Sequence, residues 1–250
     1  MKLTLLGTGN SGQVPVYNCR CPACERARRD PAYRRGPTCA SIEHQGERWL
    51  LDAGLMDLAE RFPPGSFKGF LQTHYHADHA QGLLHLRWGQ NYRLPVLGPP
   101  DPQGFADLYK HPGILDFSRT LAPFEPLRLM GLDITPVPLR HSLPTFGYVF
   151  SDGKRHWAYL TDTVGLPEDT FEFLKQRPLQ LMVLDCSFSP RPQAPRGHND
   201  LTRALEIVER LQVEKTVLTH IGHEFDAWLM AQKRPLPANV LVGSDAAVFR

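Results

Sequence analysis

The sequence predicts an α/β fold, a single domain with two sheets and helices on their outer faces. Three observations predict it. Short β-branched or apolar runs recur along the chain, helical patterns lie between some of them, and the runs first meander and later alternate with helices. Internal repeats, low-complexity tracts and linkers are not evident, so one domain spans residues 1–250.

In chain order the expected strands are Leu3–Leu6, Ala40–Glu43, Arg48–Asp52, Gly69–Gln72, Pro95–Leu97, Asp133–Pro136, Thr145–Phe150, His156–Leu160, Leu181–Leu184 and Thr216–Leu218. The expected helices are Leu55–Arg61 after a glycine turn, Ala77–Arg87, Glu168–Gln176 after Pro167, and Asp200–Leu211. The last opens on Asn199-Asp200 as a cap and aligns Leu201, Leu205 and Val208 on one face. Polar residues of chemical interest fall at strand ends: Asp52, His74, Asp162, Asp185 and His220. Loops at the C-termini of strands are where α/β folds place their chemistry, so these ends are expected to converge.

Composition narrows the class. The chain is 42% hydrophobic and 22% charged with a formal net charge of +2, which is ordinary for a soluble protein and gives no broad basic surface for nucleic acid. Its start is apolar for only a few residues before glycine, unlike a signal peptide, and no run of apolar residues is long enough to span a membrane. An odd count of five cysteines, three of them crowded together, argues for a reducing compartment, expected to be the cytoplasm.

The densest motif is Thr73-His74-Tyr75-His76-Ala77-Asp78-His79. In a strand-to-turn setting His74 and His76 share a side and can grip one ion, while Asp78 and His79 can grip a second. Phe70 and Leu71 make the approach apolar and the site semi-buried. Two adjacent metals serve to trap and ionise a water. Further ligands are needed, and His141, Asp162 and His220 each follow an apolar run, with Asp162 best placed to bridge two cations.

A second cluster is Cys19-Arg20-Cys21-Pro22-Ala23-Cys24, in an expected zinc-binding loop at about residues 17–26. Three thiolates close three corners of a tetrahedron, and His223, three residues past His220, is the best fourth ligand. With all four corners filled the zinc would be structural. Cys39 and Cys186 sit on apolar runs and are expected in the core.

The pattern His-x-His-x-Asp-His, a lone His, an Asp after a strand and a late His resembles the metallo-β-lactamase superfamily over essentially the whole chain. That resemblance implies an αββα sandwich. It also implies one metal on His74, His76 and His141, another on Asp78, His79 and His220, and Asp162 between them. The opening Leu3–Gly9 is similar to the phosphodiesterase branch, with Gly7 and Gly9 permitting close backbone approach. The cysteine motif, Leu86–Gly89, Gly98-Pro99-Pro100, His111-Pro112-Gly113, Leu160–Thr163 and Thr219–Asp226 resemble the PhnP family, cyclic phosphodiesterases of the carbon–phosphorus lyase pathway of phosphonate use. Its chemistry is the opening of 5-phosphoribosyl 1,2-cyclic phosphate to ribose 1,5-bisphosphate by a metal-bridging hydroxide. The resemblance further implies manganese at the catalytic pair, zinc at the cysteines and a homodimer.

On this reading Asp78 is catalytic as a metal ligand, and His198 in the loop Pro195–Asp200 is the candidate proton donor to the leaving oxygen. Asp185 and Asp52 are expected to orient ligand histidines. Arg140, Arg196 and Lys110 are candidates for the second phosphate, and Tyr17, Trp88 and His111 for the pocket wall. A transfer-RNA endonuclease of this fold would need a long arm between His141 and Asp162, which are only 21 positions apart. A glyoxalase-type thiolester hydrolase would need a helical region beyond the 30 residues that follow His220. A lactamase would need an export signal, and a non-catalytic scaffold would be expected to have lost ligands. A broader cyclic-nucleotide or RNA-directed phosphodiesterase remains the alternative.

Overall fold

The computed structural model describes residues 1–193, 195–232 and 236–250. The first half of the chain lays down strands β1 (Lys2–Gly7), β2 (Cys39–His44), β3 (Glu47–Leu51), β4 (Phe70–Leu71), β5 (Leu94–Leu97) and β6 (Leu115–Asp116). The second half adds β7 (Leu127–Leu129), β8 (Leu132–Pro138), β9 (Phe146–Ser151), β10 (His156–Leu160), β11 (Leu179–Asp185), β12 (Thr216–Thr219) and β13 (Val240–Val242), and β14 (Val248–Phe249) returns to the first sheet. Two seven-stranded sheets result, ordered β14-β1-β2-β3-β4-β5-β6 and β13-β12-β11-β10-β9-β8-β7.

Both sheets are mixed. The meander β1-β2-β3 is antiparallel, whereas β3 to β6 run parallel. In the second sheet β7 to β10 are antiparallel and β10 to β13 parallel. The parallel halves bring the C-terminal ends of β3, β4, β10, β11 and β12 to one edge, and every polar strand-end residue singled out above ends or follows one of those strands.

Between the sheets lies a core of Leu3, Leu5, Ile42, Leu51, Leu71, Tyr148, Phe150, Tyr159 and Val183, all essentially without solvent contact. Full burial of one such Leu or Phe stabilises by about 1.5–3 kcal/mol, so this layer holds the sheets face to face. Helices cover the outer faces: α1 (Pro22–Arg29), α2 (Leu58–Arg61), α3 (Ala77–Leu86), α4 (Ala106–Lys110), α5 (Glu168–Lys175), α6 (Leu201–Leu211) and α7 (His223–Ala231). Leu58, Ala80 and Leu83 of α2 and α3 pack on the first sheet. Leu174, Ala204, Ile207 and Phe225 of α5, α6 and α7 pack on the second. The two-sheet, single-domain α/β expectation is thus the architecture found.

Several elements differ from expectation. Helix α2 spans only Leu58–Arg61 rather than Leu55–Arg61, because Ala53–Leu55 instead form the seat of α3. The loop expected over residues 17–26 ends at Cys21, where α1 begins with proline in its first turn. Helices α1, α4 and α7 and strands β6, β7, β13 and β14 escaped the sequence reading. The four strands have two or three residues each, too short for alternation to register. Asp200 caps α6 as expected, its carboxylate accepting from the Arg203 backbone N–H at 3.0 Å. No helix among the described residues is long and apolar enough to cross a membrane.

Candidate metal centre

The turn after β4 is built by three buried polar side chains. Asp52, following β3, accepts the backbone N–H of Thr73 at 2.7 Å and its hydroxyl at 2.8 Å. Gln72 donates through Nε2 to the carbonyls of His74 (2.7 Å) and His79 (2.8 Å), closing the turn on itself. Helix α3 then starts directly after His76, so Asp78 and His79 occupy its first turn. The helix lies unusually close to the chain after β3: Ala53 N–H donates to His79 O and Gly82 N–H to Ala53 O, each at 2.8 Å. A side chain at Gly54 would collide with the Asp78 carbonyl, which is why glycine stands there.

Seven predicted ligands converge. His74 Nε2 and His141 Nε2 each lie 3.0 Å from His76 Nδ1. Three nitrogens on a tetrahedral ion would stand about 3.3 Å apart at zinc–nitrogen distances, so this spacing is close to that of a ligand set. On the other side, Asp78 Oδ2 is 3.7 Å from His79 Nε2 and 3.7 Å from His220 Nε2. Asp162 Oδ2 sits between the halves, 3.3 Å from His79, 3.5 Å from His220, 3.6 Å from His74 and 3.7 Å from His141.

Hydrogen bonds behind the rings decide which nitrogen faces inward. His79 Nδ1–H donates to Asp52 at 2.7 Å, and His141 Nδ1–H donates to the Gly197 carbonyl at 2.9 Å. His220 Nδ1–H donates to Ser187 Oγ at 2.7 Å, and that hydroxyl passes its own proton to Asp185 at 3.1 Å. His74 Nδ1–H donates to Thr73 Oγ1 at 3.0 Å, since that hydroxyl is itself spent on Asp52. Nε2 of each ring is therefore left with a lone pair toward the centre. Two of these atoms, His79 Nε2 and His220 Nε2, are buried with no hydrogen-bond partner. A buried acceptor without a partner is costly, and a cation removes the cost. The residues fit a dinuclear metal site on that observation.

The electrostatics agree. Burial lowers His74, His76 and His141 below the ordinary imidazole range, which keeps their lone pairs available. Burial opposes charge on His79 too, but Asp162 and Asp52 outweigh it and hold His79 well above that range, so the two carboxylates favour a positive charge at its Nε2, whether a proton or a metal ion in the proton's place. Burial likewise opposes charge on Asp162, and the surrounding histidines overcome it and keep the carboxylate ionised. Asp52 and His220 both adopt positive φ, 62° and 60°, a conformation disfavoured for residues with side chains and typical of functional turns.

The candidate proton donor enters the same space. His198 is 2.8 Å from Asp185 through Nδ1, and its ring stacks on His220 with centroids 4.6 Å apart. Burial disfavours its charge, yet Asp185 and then Asp162 more than offset this and raise its pKa to about 9. Asp185 therefore reaches one ligand histidine, His220, through Ser187, and bonds directly to His198.

A second cluster gathers Cys19, Cys21, Cys24 and His223, whose ligand atoms all lie within 4.8 Å of one another. Cys19 Sγ and Cys21 Sγ stand 3.3 and 3.6 Å from His223 Nδ1, against about 3.5 Å between sulfur and nitrogen corners of a zinc tetrahedron. Burial pushes the Cys24 thiol up to about 12, so its thiolate form calls for a cation. Gly222 precedes α7, so His220 and His223 flank one short link between the two clusters. Residues Gly7–Gly9 pack beside that link, where Ile221 N–H donates to Thr8 O at 2.8 Å. Neither glycine needs positive φ; Gly7 is demanded by its closeness to the Pro37 carbonyl.

Other expected residues lie elsewhere. Trp88 is exposed on a cavity of about 490 Å3 with Phe62, Phe67 and Leu86. Tyr17 is exposed beside Cys19 and Arg20. His111 and Lys110 are exposed at the end of α4. Arg140 and Arg196 are exposed but adjoin His141 and the His198 loop. Cys39 and Cys186 are fully buried core residues. The sequence reading missed Gln72, Thr73 and Ser187. Only the nearness of each to a ligand or to Asp185 in the chain could have flagged them.

A family model described as "Beta-lactamase superfamily domain" matches residues 48–221, which contain all seven candidate ligands of the dinuclear centre. The chain belongs to this superfamily. It has the metallo-β-lactamase fold, with a His/Asp site of the kind that serves metal-dependent hydrolysis. Coenzyme PQQ synthesis protein B of Methylobacterium radiotolerans is 35% identical over 108 residues, covering 38% of this chain and 36% of that protein. The match thus spans little more than a third of that relative. A crystal structure described as a new diphosphatase from the PhnP family is 27% identical, covers 100% of this chain and 97% of its own, and superposes with a TM-score of 0.81. Zn(2+)-bound PqqB from Methylobacterium extorquens, 19% identical and covering 100% of both chains with a TM-score of 0.77, shares the fold.

Proposed function

We propose that this superfamily member is a phosphodiesterase of the PhnP kind, opening 5-phosphoribosyl 1,2-cyclic phosphate to ribose 1,5-bisphosphate in phosphonate catabolism. The observation that carries the reading is the pair His198–Asp185 beside the convergent ligands, with Nδ1 committed at 2.8 Å and Nε2 left to give a proton. A cyclic phosphate has an alkoxide leaving group, which needs such a donor. His74, His76 and His141 would hold one cation and Asp78, His79 and His220 the other, with Asp162 shared. Two divalent ions so held would supply an activated water and offset phosphoryl charge. Asp185 keeps His198 charged and aimed, and His198 Nε2 passes its proton to the departing 2-oxygen. Manganese in this centre and zinc on Cys19, Cys21, Cys24 and His223 complete the proposal, together with a cytoplasmic homodimer that binds a small phosphorylated sugar and no stable nucleic-acid partner.

A second reading is hydrolysis of a diphosphate linkage, favoured by the full-length likeness to the PhnP-family diphosphatase. Phosphorus NMR separates the two. The purified protein is expected to consume the ribosyl cyclic phosphate faster than 2′,3′-cyclic nucleotides or a diphosphate diester. Persistence of the ribosyl substrate while either competitor disappears would overturn the substrate assignment.

His198→Ala is expected to slow the ribosyl cyclic phosphate by about 10²–10⁴-fold. A p-nitrophenyl phosphodiester, whose phenolate leaves without protonation, should lose far less. Equal losses on both substrates, measured as kcat, would remove His198 from the donor role.

A further inference from the structure

A cavity of about 320 Å3 opens where α1, the turn Pro31–Tyr33, α7 and the end of β13 meet. Three guanidinium groups line it, those of Arg26, Arg34 and Arg35, with one carboxylate among the described lining residues, Asp226. The lining is therefore net positive, although Asp245 behind it also interacts with Arg35, accepting from Thr8 while Arg35 donates to that same hydroxyl. The paired side chains are sheltered, with Asp226, Arg35 and Arg26 only 4%, 10% and 25% exposed, while Arg34 stands exposed at the mouth.

The hydrogen bonds say which donors remain. Asp226 accepts from Arg26 Nη2 at 3.2 Å and from Arg35 Nε and Nη2 at 3.2 and 3.3 Å. Arg35 Nη1 is spent on Thr8 Oγ1 at 3.0 Å and on the Gly243 carbonyl. Arg34 gives Nε to Ala27 O at 3.2 Å. Arg26 Nε is buried and has no partner among the described residues. Its guanidinium lies over the Tyr33 ring, 4.1 Å from the centroid, which fixes its plane before any ligand arrives. The hydroxyl of Ser244 also lines the space.

We propose that this cavity binds a phosphate group, as the free ion or on a small phosphomonoester. A phosphate anion suits the net positive lining, and its oxygens suit the planar forks of arginine. The volume exceeds that of the ion alone and leaves room for a small sugar against Met230 and Val242. An anion shared by Arg26 and Arg34 would tie α1, which carries Cys24, to the segment that follows the turn Pro31–Tyr33. The proposal does not depend on the reaction at the dinuclear centre.

The test is an arginine side-chain NMR titration of the ¹⁵N-labelled, metal-replete protein. The Arg26 Nε–H signal is assigned through its contact with the Tyr33 ring, so phosphate at the metal centre does not enter the readout. Inorganic phosphate is expected to shift this signal saturably, and sodium chloride of equal ionic strength is not. Arg34→Gln should weaken the apparent affinity about tenfold, as expected for one lost hydrogen bond to a charged group. Tighter binding of ribose 5-phosphate than of inorganic phosphate would support the site and identify a phosphomonoester; the reverse order would support it and identify the free ion. A shift that never saturates, that chloride reproduces, or that keeps its affinity in Arg34→Gln overturns the site.

Discussion

Asp162→Asn is expected to reduce turnover on the order of 1000-fold or more, the equivalent of several kcal/mol of transition-state stabilisation lost with the metal pair. The substitution keeps the shape and removes one charge. That charge stands within 3.7 Å of four ligand nitrogens, drawn from both halves of the centre. An amide can neither bridge two cations nor balance the histidines packed around it. Elemental analysis should therefore show loss of divalent metal in parallel with activity, while circular dichroism remains that of a folded protein. A variant that retains two metals per centre and the full rate would show that Asp162 does not bridge.

Cys21→Ala is expected to act on stability instead. Removing one corner of the Cys19, Cys21, Cys24 and His223 cluster should release its zinc and cost ~3 kcal/mol or more. For a domain of this size that is a fall of about 6–12 °C in Tm. The reason for a large effect is topological: the cluster joins residues about two hundred positions apart, at the N-terminus and after β12. Protein that still folds should keep its chemistry, because no cysteine is among the convergent ligands of the dinuclear centre. Calorimetry and zinc content measured beside kcat decide the matter. If activity falls as far as in Asp162→Asn with folding intact, the cluster is more than structural.

Much of the site was legible because metal ligands are chemically conspicuous. Three histidines and an aspartate within Thr73–His79 have few other uses, and His141, Asp162 and His220 each follow an apolar run that reads as a strand. The groups that orient those ligands were not legible. Thr73, Ser187 and Gln72 are ordinary residue types with no periodicity, and their roles exist only because Asp52 lies 2.7 Å from the Thr73 amide and Asp185 lies 3.1 Å from Ser187 Oγ. The direct partner of Asp185 was not legible for the same reason. Thirteen positions separate it from His198, and only the fold closes that gap to 2.8 Å.

The helices divide along similar lines. Helix α6 declares itself through an apolar face and a capping aspartate, both local features. Helix α1 is rich in charge and α7 is mostly apolar without a clean apolar stripe, and the two meet: Arg26 of α1 reaches Asp226 of α7 at 3.2 Å across the chain. The sequence by itself determined the α/β class, the strands of four or more residues and the residues that gather into both candidate metal clusters, since these depend on residue type and short-range pattern. Only the tertiary structure decided how the ring nitrogens point, what Asp185 holds, and that three arginines from the N-terminal segment enclose a cavity with α7. Those outcomes depend on groups distant in sequence meeting within a few ångströms, a distance that local pattern does not encode.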